Sequence, residues 1–159
     1  MDERFEIFDI KRRDILDLTR LAQDYFAELK ACDEGLKMAP NWEKDYFDLM
    51  ELGLRANHFF MRGVSIDREM AAFIMFSYRV ESMWLLASRG YISNIYVVPA
   101  HRNQGIGRKL VSEAMHHLQQ AGVQSVEMEV YIANDPGQKF WEKMGFAPFK
   151  TRNRIMLRD

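Results

Sequence analysis

Gly105 and Gly107 stand two residues apart in the run Arg102-Asn103-Gln104-Gly105-Ile106-Gly107-Arg108. The stretch before them, Tyr91 to Val98, is rich in the β-branched and aromatic residues that suit a strand. The stretch after them, Lys109 to Gln120, carries Leu110, Ala114 and Leu118 at helical spacing, with Gly122 as a stop. The run is therefore a strand-to-helix turn. Such a turn presents unpaired N–H groups and the positive end of the helix dipole, and glycines let an anion approach the backbone closely. The chemistry this suits is cradling a phosphate or pyrophosphate. The dinucleotide fingerprint wants a third glycine where Leu110 stands. The Walker pattern wants Gly-Lys-Ser/Thr, which Gly107-Arg108-Lys109 does not supply.

A second chemical stretch is Gln124 to Ala133, which alternates as a strand. It sets Glu127, Glu129 and Tyr131 on one face and Val126, Met128, Val130 and Ile132 on the other. The apolar face is expected under a helix. His101, His116 and His117 raise the question of a metal. Adjacent helical residues point about 100° apart, so His116 and His117 do not share a site. No Cys or Asp cluster at ligand spacing joins them, and no metal site is expected. Cys32 reads as a small helix side chain, and His58 as a rim residue rather than a base.

These segments need a scaffold. The first strand is expected over Arg4 to Ile10. A helix capped by Asp14 follows, with Ile15, Leu18, Ala22, Tyr25, Phe26 and Leu29 on its face. After a loop around Gly35 and Pro40, Asn41 is expected to cap a second helix bearing Trp42, Tyr46, Leu49 and Met50. His58 to Val64 and Met70 to Val80 read as antiparallel strands around a Ser-Ile-Asp-Arg turn. Trp84 to Gly90 leads into the strand before the glycine turn. Beyond Ala133, a short helix from Asp135 or Pro136 to Lys143 is stopped by Gly145-Phe146. Phe149 to Leu157 is expected to be a last strand.

Length and composition bound the rest. The 159 residues, 48% of them hydrophobic, make one domain with a real core. The net charge of −1 excludes a strong general attraction to nucleic acid or anionic membrane. Residues 1–60 hold 14 Asp/Glu against 9 Lys/Arg, and the remainder hold 9 against 13. A basic second half fits an anionic ligand. The single cysteine fits a reducing compartment. The charged start Met1-Asp-Glu-Arg gives no sign of a signal peptide, and the apolar runs are too short to span a bilayer. A cytoplasmic location is expected.

The string from Asn94 to Leu110, with R-x-x-G-x-G after a strand ending Val-Val-Pro, closely resembles motif A of the GNAT family of N-acetyltransferases. The element order resembles that family over most of the chain, most specifically from Tyr91 to Phe146. The resemblance implies an α/β fold with a mixed, mostly antiparallel sheet flanked by helices, as a single domain over residues 1–159. It implies acetyl-CoA as cosubstrate, with its pyrophosphate on Arg102, Asn103, Gln104, Gly105, Ile106, Gly107 and Arg108. It implies backbone contacts from Ile95, Tyr96 and Val97 to the amide arm, and Asn134 near the pantetheine. The family's Tyr-x-x-x-Gly-Phe segment reads Phe140-Trp141-Glu-Lys-Met-Gly-Phe146 here, so Trp141 replaces the tyrosine that is a general acid in many members. An indole donates a hydrogen bond but does not titrate as a phenol does. Phe140 and Trp141 are expected beside the cofactor.

The activity implied is acetyl transfer to a primary amine. The resemblance carries the general-base role to Glu129, and a water, or Tyr131 on the same strand face, could protonate the departing thiolate. In the family the first two helices border the acceptor groove. The acidic excess of residues 1–60 then implies a cationic amine as substrate, with no nucleic acid or membrane partner. A homodimer is one assembly that fits. The alternative function is a CoA-binding sensor that keeps the cradle and lacks turnover, which the replacement at position 141 favours.

Overall fold

The computed structural model describes residues 5–85 and 87–157; Arg4 and Leu86, named in two expected segments, lie outside the described residues. The chain divides into two compact units, residues 1–129 and 130–159.

The first unit opens with β1 (Glu6–Asp9), a 3-10 turn at Arg12–Asp14, α1 (Ile15–Lys30) and α2 (Trp42–Gly53). Then come β2 (Phe59–Ile66), β3 (Glu69–Val80), β4 (Ser88–Val97), α3 (Ile106–Gln120) and β5 (Ser125–Met128). The five strands form one sheet in sequence order. The pairs β1–β2, β2–β3 and β3–β4 are antiparallel, and β4–β5 is parallel. A parallel pair needs a long crossover, which α3 supplies. The mixed, mostly antiparallel sheet is the one the resemblance implied.

Alternation along β3 divides the core. Phe73 and Met75 join Ile15 and Leu18 of α1, Met50 of α2, and Tyr96 of β4 in one buried cluster. Phe76 meets His117 of α3. A Cβ on Gly90 would come within 2.9 Å of Leu118 Cδ1. So α1 and α2 cover one face of the sheet and α3 the other. The β2–β3 hairpin turns on Asp67 and Arg68 alone, at φ of 51° and 70°. That two-residue geometry matches strand twist, and it lets Ser65 and Ile66 pair as strand rather than turn.

Several expectations are corrected. Asp14 and Asn41 occupy N-cap positions but make no capping bond with their side chains. Asp14 Oδ2 instead accepts from the Lys11 N–H at 2.8 Å, closing the 3-10 turn. Helix α3 begins at Ile106, not Lys109. The expected strand Gln124 to Ala133 is β5 only, and it ends at Met128. The cause lies in β4. Met75 pairs with Asn94 and Phe76 with Ile92, so Ser93 is an extra residue, a bulge. Pairing of β4 with β5 runs over Arg89–Ile92 and stops at that bulge. Without a ladder partner the strand does not continue, and the expected burial of Ile132 fails; it is 91% exposed.

In the second unit, α4 (Asp135–Lys143) is capped by Asn134, whose Oδ1 accepts from the Gly137 N–H at 3.0 Å. It ends at Gly145, with φ of 90°, and the Phe146 N–H reaches back to the Trp141 carbonyl at 3.0 Å. The last expected strand is absent: residues 147–157 have no regular structure and no ladder pairs them. Phe149, Ile155 and Leu157 are exposed there.

Candidate functional site

Strand β4 delivers the chain to Val98, and Pro99–His101 forms a 3-10 turn. The backbone then enters the left-handed region twice, at Asn103 (φ 60°) and Gly105 (φ 83°). Asn is among the few side chains that tolerate this conformation, and Gly adopts it freely. Gly105 is the N-cap of α3, and no side chain caps the turn. The N–H groups of the first turn of a helix have no intrahelical partner. A Cβ built on Gly105 would meet nothing within 4 Å, so its open side is a surface of bare backbone. Ile106 is buried and anchors the turn, while Gly105 and Arg108 are exposed. Arg108 makes no ion pair among the described residues. Gln104 Nε2 donates to the Ala100 carbonyl at 3.3 Å, bracing the loop. These donors, the dipole and the exposed Arg108 fit a phosphate or diphosphate.

Arg102, expected on a phosphate, is held otherwise. Its Nε donates to the Val97 carbonyl at 2.8 Å and an Nη to Glu28 Oε1 at 2.6 Å. Its guanidinium carbon stands 5.4 Å from the centre of the Tyr96 ring. The Tyr96 hydroxyl donates to the same Glu28 oxygen at 3.4 Å. Burial and the Glu28 charge push the Tyr96 phenol upward, and Arg102 opposes them. Nearby, Asn94 Nδ2 donates to the Tyr25 hydroxyl at 3.0 Å. Residues Ile95, Tyr96 and Val97 lie beyond the bulge, where no strand pairs with β4 on its β5 side among the described residues. The Val97 carbonyl is taken by Arg102 Nε, and the other backbone groups of that edge face no paired strand.

Sequence reasoning placed Tyr25 on an apolar helix face and missed Glu28 altogether. The available signal was the polar tip of Tyr25 and a carboxylate three residues further along the same face of α1.

The acidic candidates separate. Glu127 shares Arg89 with Glu81, at 3.8 and 3.9 Å, and Glu81 also meets Arg79 at 2.9 Å. Glu129 follows the end of β5 and is exposed. Because β5 stops at Met128, strand alternation does not extend to Glu129 and Tyr131. In the second unit Tyr131 is half-buried, Asn134 is engaged in capping α4, and Trp141 is buried with its ring 5.1 Å from each of Phe140 and Phe146.

The histidines do not converge with these groups. His117 Nδ1 meets an Nη of Arg62 at 3.2 Å, and Arg62 also pairs with Asp9 and Glu113, each at 3.3 Å. A cleft of about 570 Å³ adjoins this cluster, lined by Phe5 to Asp9, Arg62, Lys109 and Glu113. It lies on the α3 face of the sheet, away from the bulge. Its Arg62 is already neutralised, so it is a weaker anion site than the glycine turn.

Comparison with known proteins gives a consistent result. A profile of the Acetyltransferase (GNAT) family matches residues 17–146. The chain is 32% identical to N-alpha-acetyltransferase 30 of Schizosaccharomyces pombe over 69 residues, which are 43% of this chain and 46% of that protein. It is 36% identical to streptothricin acetyltransferase of Streptomyces lavendulae over 84 residues, 53% of this chain and 42% of that one. The match thus spans somewhat under half the length of these curated relatives. Among solved structures, the ribosomal-protein-alanine N-acetyltransferase of Brucella melitensis superposes with a TM-score of 0.73 at 20% identity, covering 98% of this chain and 100% of that one. At that identity the likeness shows the fold.

Proposed function

Because the chain belongs to the GNAT family of acetyltransferases, whose profile spans residues 17–146, we propose that it transfers acetyl from acetyl-CoA directly to a primary amine. The observation that carries this reading is the uncapped, left-handed turn at Gly105 on the N-terminus of α3, within the family match. The profile runs across the division at residue 129, which supports one acetyltransferase domain over residues 1–159.

Acetyl-CoA supplies an activated acyl group as a thioester. Asn103 to Arg108 hold its pyrophosphate through backbone N–H groups, the dipole of α3 and the Arg108 charge. The edge of Ile95 to Val97 hydrogen-bonds the amide arm through groups other than the Val97 carbonyl, which Arg102 holds, and a backbone N–H there stabilises the carbonyl oxygen as it gains charge. In the transfer, the amine nitrogen bonds the carbonyl carbon, the C–S bond breaks, and the amine proton must leave. A lysine-like amine has a pKa of about 10.4, so deprotonation at pH 7 costs roughly 4.6 kcal/mol. Glu129 takes that proton, directly or through water. A water, or Tyr131, returns a proton to the thiolate, in place of the phenol missing at position 141.

The acceptor is a cationic amine, drawn by the acidic excess of residues 1–60. The relatives' names, an N-alpha-acetyltransferase and a streptothricin acetyltransferase among them, support acetyl transfer and leave the charge of the acceptor to the argument from residues 1–60. The lone Cys32 supports a cytoplasmic setting. A second reading, a CoA-binding module without turnover, draws on Trp141 alone. One assay separates the two. Screening polyamines, aminoglycosides, amino acids and peptide termini for CoA thiol release should give turnover with a cationic amine, falling with salt. Tight acetyl-CoA binding with no release from any amine would favour the sensor; a neutral or anionic best acceptor would refute the charge argument.

A further inference from the structure

Arg102 opens the glycine-turn motif, yet its contacts run to the helix across the sheet face. Three elements meet at it. Glu28, near the end of α1, accepts from Arg102 at 2.6 Å and from the Tyr96 hydroxyl of β4 at 3.4 Å, both on Oε1. Arg102 Nε grips the Val97 carbonyl at 2.8 Å, and the guanidinium lies over the Tyr96 ring. Among the described residues the segment from Val98 to Gly105 is otherwise held at its ends, by the Val98 N–H on the Ala71 carbonyl and the Lys109 N–H on the Gly105 carbonyl, and between them by the His101 and Arg102 N–H groups within the 3-10 turn and the Gln104 side chain.

An exposed ion pair adds little to global stability. This one is about half-exposed, with side chains 39% and 48% accessible. Its geometry serves a local purpose instead. Two of the guanidinium donors are directed to a main-chain carbonyl and a carboxylate, and the cation stands over the Tyr96 ring. Each contact removes freedom from the loop that the glycine turn depends on, and preorganisation of a binding loop raises affinity without new ligand contacts.

We propose that Glu28 is a positioning residue for the phosphate-binding loop: it anchors Arg102 to α1 and Tyr96, so that Arg102 shapes the turn at Gly105 rather than gripping a phosphate. The proposal rests on the reading of that turn as the acetyl-CoA site.

The test combines a ligand-free and a ligand-bound measurement on the full chain. Amide hydrogen exchange without ligand should speed up over residues 98–105 in Glu28→Gln, while the β2–β3 hairpin and the melting temperature stay as in the wild type. Calorimetric titration with acetyl-CoA should show Glu28→Gln and Arg102→Gln each weakening affinity by roughly three- to tenfold. The double variant should be no weaker than the worse single one, the signature of a shared interaction. Unchanged exchange over residues 98–105 in Glu28→Gln would overturn the proposal. So would a loss confined to Arg102→Gln, which would make Arg102 a direct phosphate ligand. If the wild type fails to bind acetyl-CoA, the cofactor reading falls; exchange over the loop still reports whether Glu28 positions it.

Discussion

Glu129 is asked to take the proton of a cationic amine, and the residue-scale account stands on the asymmetry between two protons. Removing the amine proton at pH 7 costs roughly 4.6 kcal/mol, whereas a thiol with a pKa of about 8.5 leaves as a tolerable anion. Loss of the base should therefore hurt more than loss of the acid. Glu129→Gln should lower kcat/KM by about 10²-fold or more and remove the acidic limb of the pH–rate profile. Full activity of Glu129→Gln between about pH 6 and 9 would exclude it as base. Glu81, the next carboxylate in line, is already engaged by Arg79 and Arg89. At this scale the sequence was most readable where chemistry is local. Gly105 and Gly107 announce a strand-to-helix turn by their type and place, and the structure adds that Asn103 and Gly105 are left-handed. The Glu28–Arg102 contact was not legible, because the two residues lie 74 positions apart and only the sheet brings them together.

Elements carry the next level of the argument. Strand β5 was legible in kind but not in length. Its alternation continues past Met128, but a strand persists only where a partner does, and the bulge at Ser93 removes the partner. The segment from Phe149 to Leu157 has strand-like composition and no ladder, and composition alone does not make a strand. On the other face, α3 is tied to β2 through Arg62, which meets Glu113 and His117 of α3 and Asp9 of β1. His117 packs against Phe60 and Phe76. Burial lowers its pKa from 6.5, with the Arg62 and His116 charges adding to the effect and Asp9 opposing it. The folded state thus binds this proton less readily than the unfolded chain. The stabilisation is fully present above pH 6.5 and is lost as pH falls through the lowered folded value. Protonation also forfeits the Nδ1 lone pair that Arg62 uses. His117→Gln keeps an acceptor without titrating, so its melting temperature should fall less steeply than that of the wild type between about pH 7 and 5. Equal slopes would show that His117 does not link α3 to acid sensitivity.

The whole molecule divides its charge as it divides its expected ligands. An acidic first 60 residues supply α1 and α2, and the basic remainder supplies the glycine turn and α3. The sheet sets the two on opposite faces, with β4 reaching both through Tyr96 and the turn beyond it. That arrangement was legible in the order of elements, since a hairpin meander followed by one helical crossover leaves few topologies. The most direct test of the account is calorimetric titration of acetyl-CoA into the wild type and into Gly105→Val. A Cβ at φ 83° meets no neighbour within 4 Å, so the variant should fold, with backbone strain of about 1–2 kcal/mol as its main cost. The account predicts saturable one-to-one binding to the wild type and none to the variant, whose circular dichroism remains native. Equal affinity in both proteins would place the cofactor elsewhere and contradict it.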